Sequence, residues 1–252
     1  MSNSPLVSYT KLSPNHSGQR TRKIDRITPH CVVGQCSVER LGDIFLPASR
    51  EASCNYGIGA DGRVGMYVEE KNRSWCSSSN ANDQRAVTIE CASDGAEPYA
   101  FRDVVYQSLI TLCVDIYKRN GKTKLLWLED KDKTLAYTPA PDEMVLTVHR
   151  WFANKSCPGN WMYARMGDLA EKVTAQLSAG MDEEDDDMDI NKFKELWREM
   201  RKELQDNDAS AYSEEARKWA VDNGIIRGGN SDEFNGMWED MMTREQLVTV
   251  LY

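Results

Sequence analysis

The sequence predicts an α/β domain, a central mixed β-sheet flanked by helices, followed by a small all-α domain. Three observations carry this. Short β-branched runs alternate with amphipathic helical stretches up to about residue 177. Beyond residue 189 the apolar residues recur only at helical spacing. Charge divides the chain at the same place: residues 181–252 carry 20 of its 40 acidic residues but 9 of its 31 basic ones. The first part is therefore near neutral and the tail strongly acidic, which predicts separate domains with separate tasks.

The elements follow in order. Arg26–Val33 reads as a buried strand carrying His30. Val38–Phe45 reads as a short helix. Tyr56–Ala60 and Val64–Val68 flank Asp61-Gly62, the signal of a two-residue type I′ hairpin. Ala86–Ala92 is rich in β-branched residues and reads as a strand. Phe101–Arg119 places Val105, Leu109, Leu112 and Ile116 on one helical face, and Asn120-Gly121 ends it. Leu125–Leu128 is a further strand, and the stretch through Pro139 and Pro141 is a loop. Met144–Val148 is extended and delivers His149 at its end. Trp161–Leu177 is a helix closing a domain of residues 1–178.

Residues 179–189 form a linker, because the acidic run Asp182–Asp187 self-repels and stays solvated. Residues 190–252 form the helical module. In it Ile190, Phe193, Trp197, Met200 and Leu204 recur at 3, 4, 3 and 4. That seam either pairs two copies through residues 190–204 or packs within the module. Ser213–Asn223 is a helix with Gly224 past its end, and Thr243-Arg244-Glu245-Gln246 is a capping box opening a last one.

Several function classes are excluded at this level. The 252 residues are 40% hydrophobic, enough for a core and unlike a disordered chain. No run of eighteen apolar residues is present, so no transmembrane helix is expected. The start, Met1–Leu6, has neither a basic end nor an apolar core, so no signal peptide is expected. The acidic tail is unsuited to nucleic acid, which needs cationic surface. Seven cysteines leave at least one unpaired, and without a signal peptide most are expected to be reduced. Cys31 and Cys36 are close in sequence, but sequence does not show a bridge.

Three residues are candidate metal ligands: His30, His149 and Cys157. Alone, His30 reads as a strand histidine and Cys157 as a small buried hydrophobe. Together, two imidazoles and a thiolate suit Zn²⁺ and leave a fourth position for water. The spacing from His149 to Cys157 fits no common zinc-finger pattern.

Residues 20–177 resemble the zinc-dependent N-acetylmuramoyl-L-alanine amidases of the phage endolysin and peptidoglycan-recognition-protein superfamily. The resemblance rests on Thr28-Pro29-His30-Cys31, Asn55-Tyr56-Gly57-Ile58 with Asp61-Gly62, Val87-Thr88-Ile89-Glu90, and His149 through Lys155 to Cys157, in family order. It implies one Zn²⁺ per chain on His30, His149 and Cys157, activating water against the amide between N-acetylmuramic acid and L-alanine. It also implies Glu90 as proton carrier, Lys155 as oxyanion donor, Tyr56 orienting the carbonyl or water, and Asn55 and Trp75 near substrate. Surface glutamate, loop lysine and core tyrosine or tryptophan are the plain alternatives for these residues. Many members have histidine where Cys76 follows Trp75, so any histidine role there is missing or transferred.

Tyr212–Leu251 resembles one S-layer-homology repeat, through Ala216-Arg217-Lys218-Trp219-Ala220, Asn223-Gly224-Ile225-Ile226 and Thr243-Arg244-Glu245-Gln246. That implies binding of a Gram-positive secondary cell-wall polymer through residues 206–252. The expectation is a phage or prophage endolysin, held in the host cytoplasm until released to act on wall peptidoglycan. The alternatives are a non-catalytic recognition protein and a cytoplasmic amidase recycling muropeptides.

Overall fold

The computed structural model describes residues 2–184, 190–204, 209 and 211–226. The chain divides into two compact units, Met1–Glu183 and Glu184–Tyr252. The strands of the first unit are β1 (Val7–Thr10), β2 (His16–Gln19), β3 (Arg26–Cys31), β4 (Tyr56–Ile58), β5 (Val64–Met66), β6 (Asn72–Ser74), β7 (Ala86–Cys91), β8 (Lys124–Leu126) and β9 (Glu143–Leu146). Its helices are α1 (Val38–Phe45), α2 (Asn80–Asp83), α3 (Asp103–Arg119), α4 (Lys131–Ala136), α5 (Gly159–Tyr163) and α6 (Met166–Glu184).

Seven strands form one mixed sheet in the order β1-β5-β4-β7-β3-β9-β8, with β4 and β5 antiparallel and the other pairs parallel. A separate antiparallel pair joins β2 to β6. β3 is buried along its whole length, as a parallel central strand requires. Pro29 sits in that strand without breaking it. Ile27 accepts from the Thr147 N–H on the β9 side, and Pro29, two residues on, turns the same way. The β3–β9 pairing has ended there, so the missing donor leaves the β3–β7 ladder whole.

Alternation sorts the side chains. Ile27, Val87, Ile89, Tyr56 and Ile58 face one side and pack with Val105, Leu109, Leu112 and Ile116 of α3. Leu41 and Phe45 of α1 pack on the other side with Cys54 and Tyr67. The Ser37 hydroxyl caps α1 by accepting from the Arg40 N–H. Gly57 lets that face close, because a Cβ there would lie 2.7 Å from Tyr67 and 2.9 Å from Leu41.

Several expectations are corrected. The hairpin turn is not type I′, which needs positive φ at both central residues. Gly62 has φ +84° but Asp61 is not in the positive region. The Gly59 N–H donates to Arg63 and the Gly62 N–H to Gly59, a three-residue loop with glycine in the left-handed position. The stretch expected as loop contains α4, opened by the Asp130 carboxylate accepting from the Lys133 N–H. The single helix expected over Trp161–Leu177 is two. Trp161 is held between the Phe101 and Tyr106 rings, which fixes α5 separately from α6. α6 runs on to Glu184, past the expected domain end at Ser178, whose hydroxyl bonds back to the Thr174 carbonyl. Cys31 and Cys36 are both free thiols.

In the second unit, α7 spans Ile190–Leu204 and α8 spans Glu214–Asp222. Phe193, Trp197 and Met200 of the expected seam are exposed. Gly224 follows α8 with φ +70°. Ser213 precedes it, but its hydroxyl takes no helix N–H. The acidic run beyond Glu184, the capping box at Thr243–Gln246 and the rest of the S-layer-like stretch lie outside the described residues. Among the described residues no helix is long and apolar enough to cross a membrane.

Candidate metal centre and active site

The sheet register places the first two groups. His30 and Glu90 are directly paired across β3 and β7, on the face opposite α3. His30 is fully buried, and its Nδ1 lies 4.0 Å from Glu90 Oε1. The other two ligand candidates come from one segment after β9. His149 opens a 3-10 turn, His149–Trp151, and the Arg150 N–H donates to the Cys157 carbonyl at 3.1 Å. That bond folds the segment back, so Cys157 Sγ comes 3.3 Å from His30 Nδ1. The His30 and His149 ring centroids are 5.1 Å apart. One donor atom from each of His30, His149 and Cys157 lies within 4.8 Å of the others.

A pocket of about 580 Å³ opens over this group, lined by Glu90, His149, Lys155, Cys157, Trp75 and Cys76 among others. Burial holds the His30 imidazole well below its usual pKa, with the neighbouring His149 adding to the effect. His149 is also lowered, by burial and by the Lys155 charge. Both rings are therefore neutral and able to ligate at neutral pH. Glu90 is pushed up to about 7 by burial, against the opposing Cys76 hydrogen bond and Arg50 charge. Its Oε2 is buried with no partner. An orphaned carboxylate oxygen beside converging imidazole and thiol atoms is a polar cavity short of positive charge. The donor set and its convergence fit a zinc ion, which His30, His149 and Cys157 would hold at the floor of the pocket.

Sequence reasoning missed the groups that hold this arrangement. Ser78 has φ +60° and its hydroxyl is 2.9 Å from His149 Nε2, which orients that ring and leaves Nδ1 as its free nitrogen. Asp83 accepts from the Cys76 N–H, the Ser77 N–H and the Ser77 hydroxyl, clamping the loop that carries Trp75 to Ser78. Cys76, where a histidine was expected from the resemblance, places its thiol 3.8 Å from Glu90 Oε1. A positive-φ serine and a long-range carboxylate clamp leave no local pattern in sequence.

Lys155 is exposed on the pocket wall and Trp75 lines it, with the Trp75 indole N–H donating to Ser17 at 2.7 Å. Tyr56 and Asn55 require correction. Tyr56 pairs with Ile89 rather than Glu90, so its ring lies on the opposite face of the sheet. It is fully buried; its hydroxyl donates to Glu70 at 2.8 Å and accepts from the Ser4 N–H at 3.0 Å. Asn55 is fully buried too. Its Oδ1 accepts from Arg20 and the Thr88 N–H, and its amide donates to the Val68, Glu69 and Asn72 carbonyls. Both are fold residues and neither reaches the pocket. Tyr56→Phe should cost about 1–2 kcal/mol of stability in urea unfolding. It should leave kcat within about a factor of two, since no transition-state contact goes. A kcat loss at unchanged stability would return Tyr56 to the active site. His16 lies on β2, and its Nδ1 accepts from the Gly18 N–H.

Comparison with known proteins bears on this geometry. Among solved structures, the chain is similar to the endolysin N-acetylmuramoyl-L-alanine amidase LysCS from Clostridium intestinale, at 15% identity, covering 68% of this chain and 97% of that one, with a TM-score of 0.40. It is similar to AmpD at 18% identity, 64% and 93% coverage and a TM-score of 0.45. It is similar to Drosophila peptidoglycan recognition protein SD at 16% identity, 61% and 86% coverage and a TM-score of 0.45. No curated protein sequence matches. The family model described as N-acetylmuramoyl-L-alanine amidase matches residues 17–160, a span holding every strand from β3 to β9 and all three ligand candidates. That span is more than half of the chain, which therefore belongs to the N-acetylmuramoyl-L-alanine amidase family and carries a peptidoglycan-acting, amidase-type domain.

Proposed function

We propose that the chain is a lytic peptidoglycan hydrolase, an endolysin of phage or prophage type. It would cleave the amide between N-acetylmuramic acid and L-alanine with one zinc ion per chain on His30, His149 and Cys157. The observation that carries the reading is the pairing of Glu90 with His30, which sets a carboxylate beside the ligand group and leaves one of its oxygens unpartnered. Bound there, zinc would supply a Lewis acid and make water acidic, with a pKa near ~7.

The remaining chemistry falls to the protein's own side chains. Glu90 takes the proton of the attacking water and passes it to the departing L-alanine nitrogen. A pKa of about 7 suits a group that must both accept and return a proton near neutrality. Lys155 donates to the oxygen of the reacting carbonyl as charge develops on it. The water oxygen bonds to the carbonyl carbon, the C–N bond breaks, and the products are a lactyl carboxylate and a free L-alanine amine. Trp75 offers an indole face on the pocket wall for sugar or peptide.

The tail supports a wall-directed enzyme over one acting on soluble fragments, because a diffusible substrate needs no targeting module. On this reading the first unit, through α6, catalyses, and residues 190–252 either bind wall polymer through 206–252 or pair through 190–204. Release from the host cytoplasm to the wall is part of the same proposal.

The test is zinc-loaded protein on purified Gram-positive sacculi. Turbidity should fall while new L-alanine amino termini appear. Sacculi that are bound with no new amines would favour a recognition protein. Amines released only from soluble muropeptides would favour recycling.

A further inference from the structure

A second cleft, of about 1090 Å³, adjoins the metal pocket; Ser78, Ser79 and Asn80 line both. Five cations line it: Arg22, Lys23, Arg26, Arg85 and Lys131. Its one carboxylate, Asp25, is already engaged by Arg85, through Nε at 2.8 Å and Nη2 at 2.5 Å. The cleft is thus strongly positive on a chain whose net charge is −9.

Arg26 is the telling residue. It is 4% exposed, at the start of β3. Its Nη1 donates to Asn82 Oδ1 at 3.2 Å, and its Nε is buried with no partner. Among the described residues no carboxylate forms an ion pair with it. Burial and the neighbouring Arg85 charge lower its pKa to about 10, and the charge of Asp25, already bonded to Arg85, offsets this only in part. An unpaired buried charge is costly, and an anionic ligand reaching it would offset that cost. The guanidinium fork matches a planar carboxylate. Trp151 and Phe152 add an apolar wall beside it.

We propose that this cleft binds a free carboxylate of the stem peptide, with Arg26 as the buried partner and Arg22 and Lys131 as the outer ones. The inference rests on the amidase reading for its choice of ligand. Because the two pockets share a wall, an anion held here belongs to the molecule whose amide lies beside Glu90. The stem peptide bears carboxylates beyond L-alanine; the glycan side of the bond does not.

The test uses a ligand the amidase cannot cut, the released peptide L-alanyl-γ-D-glutamyl-L-lysine, against its form with the glutamyl α-carboxylate amidated. Binding to the full chain is measured by calorimetry. The free acid should bind about tenfold tighter, within the range of one charge-assisted hydrogen bond. Arg22→Glu combined with Lys131→Glu, both exposed side chains, should weaken the acid form and erase the difference. Arg26→Gln should do the same, with its melting temperature checked. Equal binding of acid and amide overturns the proposal. Tighter binding of a glycerol phosphate oligomer, lost in the same variants, also overturns it and assigns the cleft to a wall polymer. Peptide binding that survives while sacculi stay uncut would keep this inference and remove the amidase reading. Cleavage without a carboxylate preference would do the reverse.

Discussion

Cys157→Ala should abolish both metal retention and amide cleavage while leaving the fold intact. Cys157 is half-buried in the segment after β9, and its thiol contacts His30 Nδ1 at 3.3 Å. It supplies the one anionic ligand of the proposed set, since both imidazoles are neutral at working pH. Without the metal, a hydrogen bond with Cys31, then burial and the nearby Glu90 charge, push the thiol well above its usual pKa, so a cation is needed to favour the thiolate. Removing it should weaken zinc by more than the roughly 10–100-fold typical of losing an outer-shell partner. Metal content after dialysis and amine release from sacculi are the two readings. Stoichiometric zinc in Cys157→Ala, or undiminished amine release, would sink the ligand assignment. Unchanged circular dichroism of the metal-free variant separates that result from unfolding.

Glu90→Gln should behave differently, keeping zinc and losing rate. The amide is close to isosteric and preserves the contact with Cys76, but it cannot carry the proton. The loss in kcat should be about 10²–10⁴-fold with KM little changed. Stability gives an independent reading with a definite sign. The folded pKa of about 7 exceeds the ordinary 4.5, so between those values the native metal-free state holds more protons than the unfolded one. Its stability should therefore fall as pH rises from about 4.5 through about 7. In Glu90→Gln that decline should be absent, raising the metal-free Tm at pH 8 but not at pH 4 relative to wild type. A variant with full kcat would remove Glu90 from the chemistry. One with the wild-type pH profile of stability would contradict its burial as an ionisable group.

The long elements were legible because their patterns are local. β3, α1, β7 and α3 each carry a run or a face that a few residues reveal. β1, β2 and β6 were not seen, since three or four residues at a sheet edge are too few for alternation to show. The convergence of the candidate ligands could be anticipated for a different reason: three histidines leave few choices for imidazole ligands. Tyr56 and Asn55 misled because their chain neighbours suggest a site, while strand parity turns Tyr56 to the opposite face. Only the pairing of Gly57, not Tyr56, with Glu90 decides that, and pairing is a property of three strands together. Ser78 and Asp83 act across the fold on His149 and Cys76, and Arg26 matters because of a partner it lacks. None of these leaves a trace in spacing.

The two halves of the proposed metal centre differ in how they are built. His30 and Glu90 belong to a ladder that cannot shift without breaking the middle of the sheet. Cys157 belongs to a loop closed by the Arg150–Cys157 backbone bond, which His149 directly precedes, outside that ladder. The reactive chemistry is therefore modular. Substitution within the loop can discard the metal while the sheet, the pocket and the cationic cleft persist. A scaffold divided in this way can trade cutting for holding through one residue of the loop, without relearning how to fold.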